Sequence, residues 1–297
     1  MVTIFLLAVA VALGAVVIST LWLWRVQERV VFQPPAVAVV ASAPARRVEL
    51  AASDGHPLIG YVVAPPLPAP GDRPVVLMFH GNADLAAWQV PWARELANRT
   101  GATVFLAEYR GYAGLEGHPT YENVASDAQG ALQFVQTRLH PSRIVLFGHS
   151  LGSAVATELA AAMQSGPGND AASALVLQSP FTSAREMAAR MLVPPVQWLW
   201  QRISRVHYDT RALVQQLDCP VFVSHGTRDV VIPTRMGRSV FAVARHPARL
   251  LIVEGAGHND VAEIGGEQYW QWLVSAVRSE GSTPVRELEK EGHRRLP

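Results

Sequence analysis

The 297-residue chain has little with which to cross-link itself or hold a metal ion. Its one cysteine, Cys219, excludes an intramolecular disulfide framework and a cysteine-based zinc site. That scarcity leaves the compartment open, because a chain needing no disulfide can live on either side of a membrane. Charge is scarce too, at 16% of residues with a formal net charge of +1. Proteins that bind nucleic acid by neutralising phosphates need a basic excess, so no nucleic-acid partner is expected. No glycine pattern meets the spacing of a phosphate loop or a dinucleotide fingerprint. No second histidine or carboxylate stands at ligand spacing from His80, which therefore reads as a loop hydrogen-bonder. No cofactor and no metal are expected, and the chain has no internal repeat. Apolar residues, by contrast, make up 49% of the chain, which excludes a disordered protein.

That apolar excess is concentrated at one end. Val2 to Trp24 holds no charged residue. Twenty-three residues in a helix span roughly 34 Å, enough for a hydrocarbon core of about 30 Å. Trp22 and Trp24 close the run and Arg25 and Arg29 follow, an order that suits a membrane interface. A cleaved signal peptide is the alternative. It lacks support from a basic leading region, and the apolar stretch is long for one. The expectation is a retained transmembrane anchor over 1–24 and a Pro/Ala-rich linker over 25–45. The two arginines after the run favour a cytoplasmic body by the positive-inside rule, with a periplasmic one left open.

Residues 46–278 follow a different rhythm. Strands are expected at 46–52 and 58–64, around an Asp54-Gly55 turn. Short apolar or β-branched runs then recur at 75–79, 103–108, 143–147, 174–178, 220–224 and 250–254. Between them lie helical patterns at 86–99, 121–139, 151–164, 234–244 and 267–277. Strands apolar on both faces, alternating with helices, predict an α/β three-layer sandwich around a mostly parallel sheet. Residues 279–297 read as a charged, disordered tail.

The strand at 143–147 runs straight into Gly148-His149-Ser150-Leu151-Gly152, and a helix pattern follows at once. This is G-x-S-x-G in its strand–turn–helix setting. So tight a turn leaves no room for side chains at Gly148 and Gly152, and it exposes the Ser150 Oγ. The Leu151 N–H stands at a helix start, where free donors can meet an oxyanion. A serine hydroxyl needs a base. Asp229, after the strand at 220–224, and His258, after the strand at 250–254, lie in loops at the carboxyl ends of strands. Parallel sheets place their chemistry there. Ser150, His258 and Asp229 are therefore the candidate nucleophile, base and orienting acid.

Their rivals are weaker. Asp218 precedes its strand. Asp260 follows His258 by two residues and suits a turn or a helix cap. His225 precedes the acid and reads as a loop hydrogen-bonder; His149 flanks the serine and reads as structural. A second oxyanion donor is expected from the loop after 75–79, where Gly81 lets the backbone approach and the Asn82 N–H donates.

With these residues in place, the chain resembles the alpha/beta-hydrolase family. In particular it is similar to a branch of small, N-terminally membrane-anchored serine hydrolases. The blocks that carry the resemblance are FHGNAD (79–84), EYRGYAGLEGHPT (108–120), GHSLGSAVATELA (148–160), SPFTSAREMA (179–188), CPVFVSHGTRDVVIP (219–233) and GAGHND (255–260). The resemblance implies a Ser–Asp–His triad at Ser150, Asp229 and His258. Animal members with related blocks include protein depalmitoylases, which are thioesterases. Two departures stand out: Ala113-Gly114-Leu115 in place of a Gly-Arg-Ser-type stretch, and Ser153 where a further glycine is common.

Residues 181–208 interrupt the α/β rhythm, as a short cap would. Met191 and Trp198 are candidate lining for a substrate pocket. Trp88 and Trp92, four apart on one helix face, suit core packing. The expected activity is hydrolysis of a carboxylic ester or thioester of a small-molecule, lipid-like or acylated substrate. An aminopeptidase or amidase with the same triad is the alternative within enzymes, and an inactive membrane-anchored binding protein the alternative outside them. The sharp end of the apolar run predicts that removing residues 1–30 leaves a soluble, active body.

Overall fold

Two periodicities alternate along the chain, and each becomes its own kind of element. The computed structural model describes residues 1–37, 45–67, 72–166 and 171–278, without the side chains at 8, 9, 12, 13, 15 and 195. A long helix α1 (Val2–Val31) precedes the hairpin β1 (Arg46–Ala51) and β2 (Pro57–Val63). Then come β3 (Pro74–Phe79), α2 (Val90–Thr100), β4 (Thr103–Ala107), α3 (Tyr121–Phe134), β5 (Arg143–His149), α4 (Leu151–Ser165) and β6 (Ala174–Gln178). The cap region forms α5 (Ala184–Met191) and α6 (Pro194–Ile203). The chain closes with α7 (Thr210–Val214), β7 (Val221–Gly226), α8 (Thr234–Val243), β8 (Pro247–Val253) and α9 (Val261–Val277).

The eight strands form one sheet in the order β1-β2-β4-β3-β5-β6-β7-β8. Strands β3 to β8 are parallel to their neighbours, and the pairings of β2 with β1 and with β4 are antiparallel. Every residue of β3 is buried. Because successive side chains alternate, Leu77 and Phe79 enter the core shared with α3, α4 and α8, while Val76 and Met78 enter the one shared with α2 and α9. Neither face of a central strand meets water, which explains unbroken apolar runs where a one-sided sheet would show alternation. From β3 the chain winds to one side through β4; from β5 it winds to the other through β6. The loops after β3 and β5 thus diverge and leave a crevice at the strands' carboxyl ends.

The N-terminal boundary differs from the sequence expectation. α1 runs past Trp24 to Val31 without a break, so 25–31 is helix rather than linker. Leu23, Gln27, Glu28 and Phe32 are buried. Gln27 donates to the Ile203 carbonyl at 3.3 Å and accepts from the Arg205 N–H at 2.7 Å. Glu28 accepts from the Tyr121 N–H at 3.2 Å and pairs with the Arg205 guanidinium at 3.0 Å. Polar groups that look like a water boundary in sequence are here satisfied by the catalytic body. Among the described residues no helix is long and apolar enough to cross a membrane. That statement leaves out the undescribed side chains of α1. Residues 38–44 of the expected linker and the expected tail at 279–297 lie outside the described residues.

Candidate active site

β5 passes into α4 through one residue, Ser150, with φ 54° and ψ −117°. A non-glycine residue in that region costs on the order of 1–3 kcal/mol and must be held by its surroundings. The Ser150 N–H donates to the Gln178 carbonyl at the end of β6 (3.0 Å). Its carbonyl accepts from both the N–H (3.0 Å) and the hydroxyl (2.5 Å) of Ser153. Ser153, a departure from the family pattern, thus braces the turn. A Cβ on Gly148 would overlap the Gly152 carbonyl, and one on Gly152 would overlap that of Phe79. Both glycines are dictated by close approach of backbone.

The structure brings together the three residues expected to act in concert. Ser150 Oγ lies 2.9 Å from His258 Nε2, and His258 Nδ1 lies 2.7 Å from Asp229 Oδ2. His258 sits in the loop after β8 and Asp229 in the loop after β7. The other aspartate oxygen accepts from the N–H groups of Val231 (2.9 Å) and Ile232 (2.7 Å). Burial alone would raise the Asp229 carboxyl. Hydrogen bonds from His225, His258 and Ile232 outweigh it and hold the group well below the usual carboxylate range. Of the rivals, Asp260 accepts from the Gly257 N–H at 2.6 Å and so fixes the turn carrying His258. Asp218 pairs with Arg245 at 2.7 Å.

His149 and His80 support neighbouring segments. His149 Nε2 lies 3.1 Å from the His258 carbonyl, to which it donates. Burial, then the nearby His258, lowers the His149 imidazole to about 4, so it is neutral at physiological pH. His80 Nε2 lies 2.7 Å from Glu108 Oε1, both side chains fully buried. Burial would lower the His80 imidazole, but Glu108 reverses the balance and raises it above its ordinary value. The second Glu108 oxygen accepts from the Ala86 N–H at 3.1 Å. This pair props up the loop 80–86 from beneath.

That loop meets the elbow. A Cβ on Gly81 would stand 3.1 Å from His149 Nδ1 and 3.3 Å from Ser150 Cβ. Asn82 follows it, and Leu151 opens α4, where its N–H has no acceptor within the helix. Both residues expected to supply oxyanion donors therefore adjoin Ser150.

Sequence reasoning missed three residues that build this site. His225 Nε2 lies 3.1 Å from Asp229 Oδ2 and 2.8 Å from the Ile232 carbonyl; the H-x-x-x-D spacing in 225–229 was the available signal. Glu108 and Tyr112 reach the loop from the EYRGY block. The pocket assignments to Met191 and Trp198 need correction. They are 71% and 58% exposed, with Trp198 under the Arg202 guanidinium at 4.2 Å. The face of α5 and α6 that turns inward carries Ala188 and Trp200 instead, packed with Leu23 of α1. Trp92 packs on Phe147 at 4.5 Å, while Trp88 is exposed.

Comparison with known proteins gives concordant matches. The family described as serine aminopeptidase, S33, matches residues 71–213, a span that includes Ser150 and ends before Asp229. An uncharacterized protein of Mycobacterium tuberculosis is 34% identical over 279 residues, covering 90% of this chain and 92% of that one. The alpha/beta hydrolase domain-containing protein WAV2 of Arabidopsis thaliana is 30% identical over 87% of this chain and 89% of its own. Alpha/beta hydrolase domain-containing protein 17B of Homo sapiens is 30% identical over 71% and 69%. Among solved structures, an esterase of Pyrococcus furiosus superposes with a TM-score of 0.64 at 16% identity, over 83% of this chain and 99% of that one. The ferulic acid complex of Est1E from Butyrivibrio proteoclasticus superposes with a TM-score of 0.62 at 18% identity, over 78% and 97%.

Proposed function

Since the chain belongs to the alpha/beta-hydrolase superfamily, we propose that it is a serine hydrolase cleaving a carboxylic ester or thioester through an acyl-enzyme. The observation that carries this reading is the relay from Ser150 Oγ through His258 to Asp229, with steps of 2.9 and 2.7 Å, mounted on a strained elbow. Ser150 Oγ bonds to the substrate carbonyl carbon as its proton passes to His258 Nε2. Asp229 accepts from His258 Nδ1–H and stabilises the imidazolium. The N–H groups of Asn82 and Leu151 receive the oxyanion. Collapse expels the alcohol or thiol, which takes the proton from His258, and leaves the acyl group on Ser150. Water then repeats the sequence: it gives a proton to His258, attacks the acyl carbon and releases the acid as Ser150 regains its proton.

The family described as a serine aminopeptidase favours a second reading, amide cleavage by the same relay. A fluorophosphonate probe tests the shared chemistry: it should label the wild type and not Ser150→Ala. Turnover of p-nitrophenyl acyl esters against aminoacyl anilides separates the two substrates. If the wild type takes no probe and hydrolyses neither substrate, the hydrolase reading falls and a binding protein takes its place.

The membrane anchor belongs to this proposal as well. Val2, Ile4, Phe5, Leu6, Leu7, Val16, Val17, Ile18 and Leu21 are exposed on α1, and lipid would cover them. The catalytic body would then lie on the side of Arg25 and Arg29, the cytoplasmic side by charge. Such an anchor suits lipid-like or acylated substrates.

A further inference from the structure

Asn82 has two separate groups to offer, a backbone N–H and a side-chain amide. The amide is fully engaged. Its Oδ1 accepts from the Gln33 N–H at 2.8 Å and from the Tyr112 hydroxyl at 2.9 Å. Its Nδ2 donates to the Val31 carbonyl at 2.7 Å. A backbone N–H can only donate and a carbonyl only accept, so these partners fix which way the amide points. They flank one residue, Phe32, where the chain leaves α1 with φ −99° and ψ 116°. In extended backbone the carbonyl before a residue and the N–H after it face the same side. The Asn82 amide therefore grips the exit of α1 as a neighbouring strand would. Phe32 is 2% exposed, in the same core as Phe79 and Tyr112, so the gripped segment is itself held firmly.

The loop on the other side of this grip is not relaxed. Ala83 has φ 52°, a conformation that costs a non-glycine residue on the order of 1 kcal/mol. Its neighbours must maintain it.

We propose that Asn82 is a positioning residue as well as an oxyanion donor: its side-chain amide, locked onto Val31, Gln33 and Tyr112, aims its own N–H at the oxyanion. The proposal rests on the reading of that N–H as a donor to the acyl transition state. It makes the exit of the N-terminal helix part of the catalytic geometry and not only a tether.

An oxyanion donor acts in the transition state, so lost aim lowers kcat and leaves KM little changed. The test uses full-length protein and two variants. Asn82→Ala removes the grip. Gln33→Pro removes only one of its donors, since Phe32 already has the extended backbone that precedes proline. Competent sites are counted with a fluorophosphonate. Then kcat per counted site and KM are measured on a short p-nitrophenyl ester, together with affinity for an alkyl trifluoromethyl ketone. For Asn82→Ala, kcat should fall about 10–100-fold, with KM within about 3-fold and ketone affinity falling in step with kcat/KM. Gln33→Pro should show the same pattern at about 3–10-fold. A loss confined to the number of competent sites, or a Gln33→Pro with unchanged kcat, overturns the proposal. Ser150→Ala in parallel separates the failures. If it is inactive while the two variants turn over normally, positioning alone is wrong; if it retains turnover, the hydrolase reading is wrong.

Discussion

His225 and His258 converge on one oxygen atom of Asp229. The Nε2 of His225 lies 3.1 Å from Oδ2 and the Nδ1 of His258 lies 2.7 Å from it. With the two backbone N–H groups on Oδ1, the carboxylate has four donors. His225 is fully buried and stands four residues before the aspartate, on the same turn.

Replacing His225 by Phe should therefore do more than loosen the fold. Loss of one donor removes a cause that lowers the Asp229 carboxyl, which then titrates at higher pH. The acid limb of the pH profile of kcat/KM should move upward, with a fall of about 10-fold near neutrality. An unshifted limb would confine His225 to a structural role.

Asp229→Asn and Asp260→Asn form a discriminating pair. Asn at 229 favours the wrong imidazole tautomer, with a loss of up to about 10⁴ in kcat. Asn at 260 retains an acceptor for the Gly257 N–H and should cost less than about 10-fold. Steady-state kinetics decides, and the reverse order would assign the acid to Asp260.

Glu158 gives a prediction about stability alone. It is buried on α4 and accepts from the Tyr121 hydroxyl at 2.7 Å. Burial raises its carboxyl to about 7, from 4.5. The folded state thus holds a proton that the unfolded state has released, and stability falls as pH rises from 4.5 to 7. Glu158→Gln keeps an acceptor for Tyr121 and abolishes the ionisation. It should raise stability by about 1–3 kcal/mol at pH 8 and change little at pH 4. Urea unfolding at both pH values checks this; a gain equal at the two would rule out titration as its source.

The burial pattern of α1 moves the safe truncation point. Among its described residues, burial below a tenth begins at Leu23. Removing residues 1–22 should leave a soluble protein with unchanged turnover of a short ester. The deletion of 1–30 that the apolar boundary suggests also removes Gln27 and Glu28 and frees the stretch beside Asn82. It should cost several kcal/mol of stability, since buried polar partners are left unpaired. Melting temperatures and turnover of the two truncations test the difference.

Much of this was legible because the signals were local. Strands with two dry faces read as apolar runs, and all eight appear within a few residues of their expected bounds. The elbow is a five-residue word, and Asp229 and His258 each follow a legible strand. What escaped was set by partners far away in sequence. Gln27 and Glu28 look like surface residues until Arg205 and Tyr121 are placed beside them. The amide of Asn82 gives no hint of Val31, 51 positions earlier. α9 was expected to begin near Glu267. It begins at Val261 because Gly266, with φ 51° and ψ −134°, kinks it and breaks the helical period.

The order of the sheet also gives the enzyme a weak side. His258 follows β8, the strand at the open edge, paired with β7 alone. Its partner Ser150 is 108 residues away, on a central strand. Edge strands open at lower free energy than central ones. Partial opening there would withdraw the base while the nucleophile stayed mounted on an intact sheet. Thermal loss of turnover would then run ahead of loss of secondary structure, and a nascent chain would carry a finished nucleophile before it had anything to activate it.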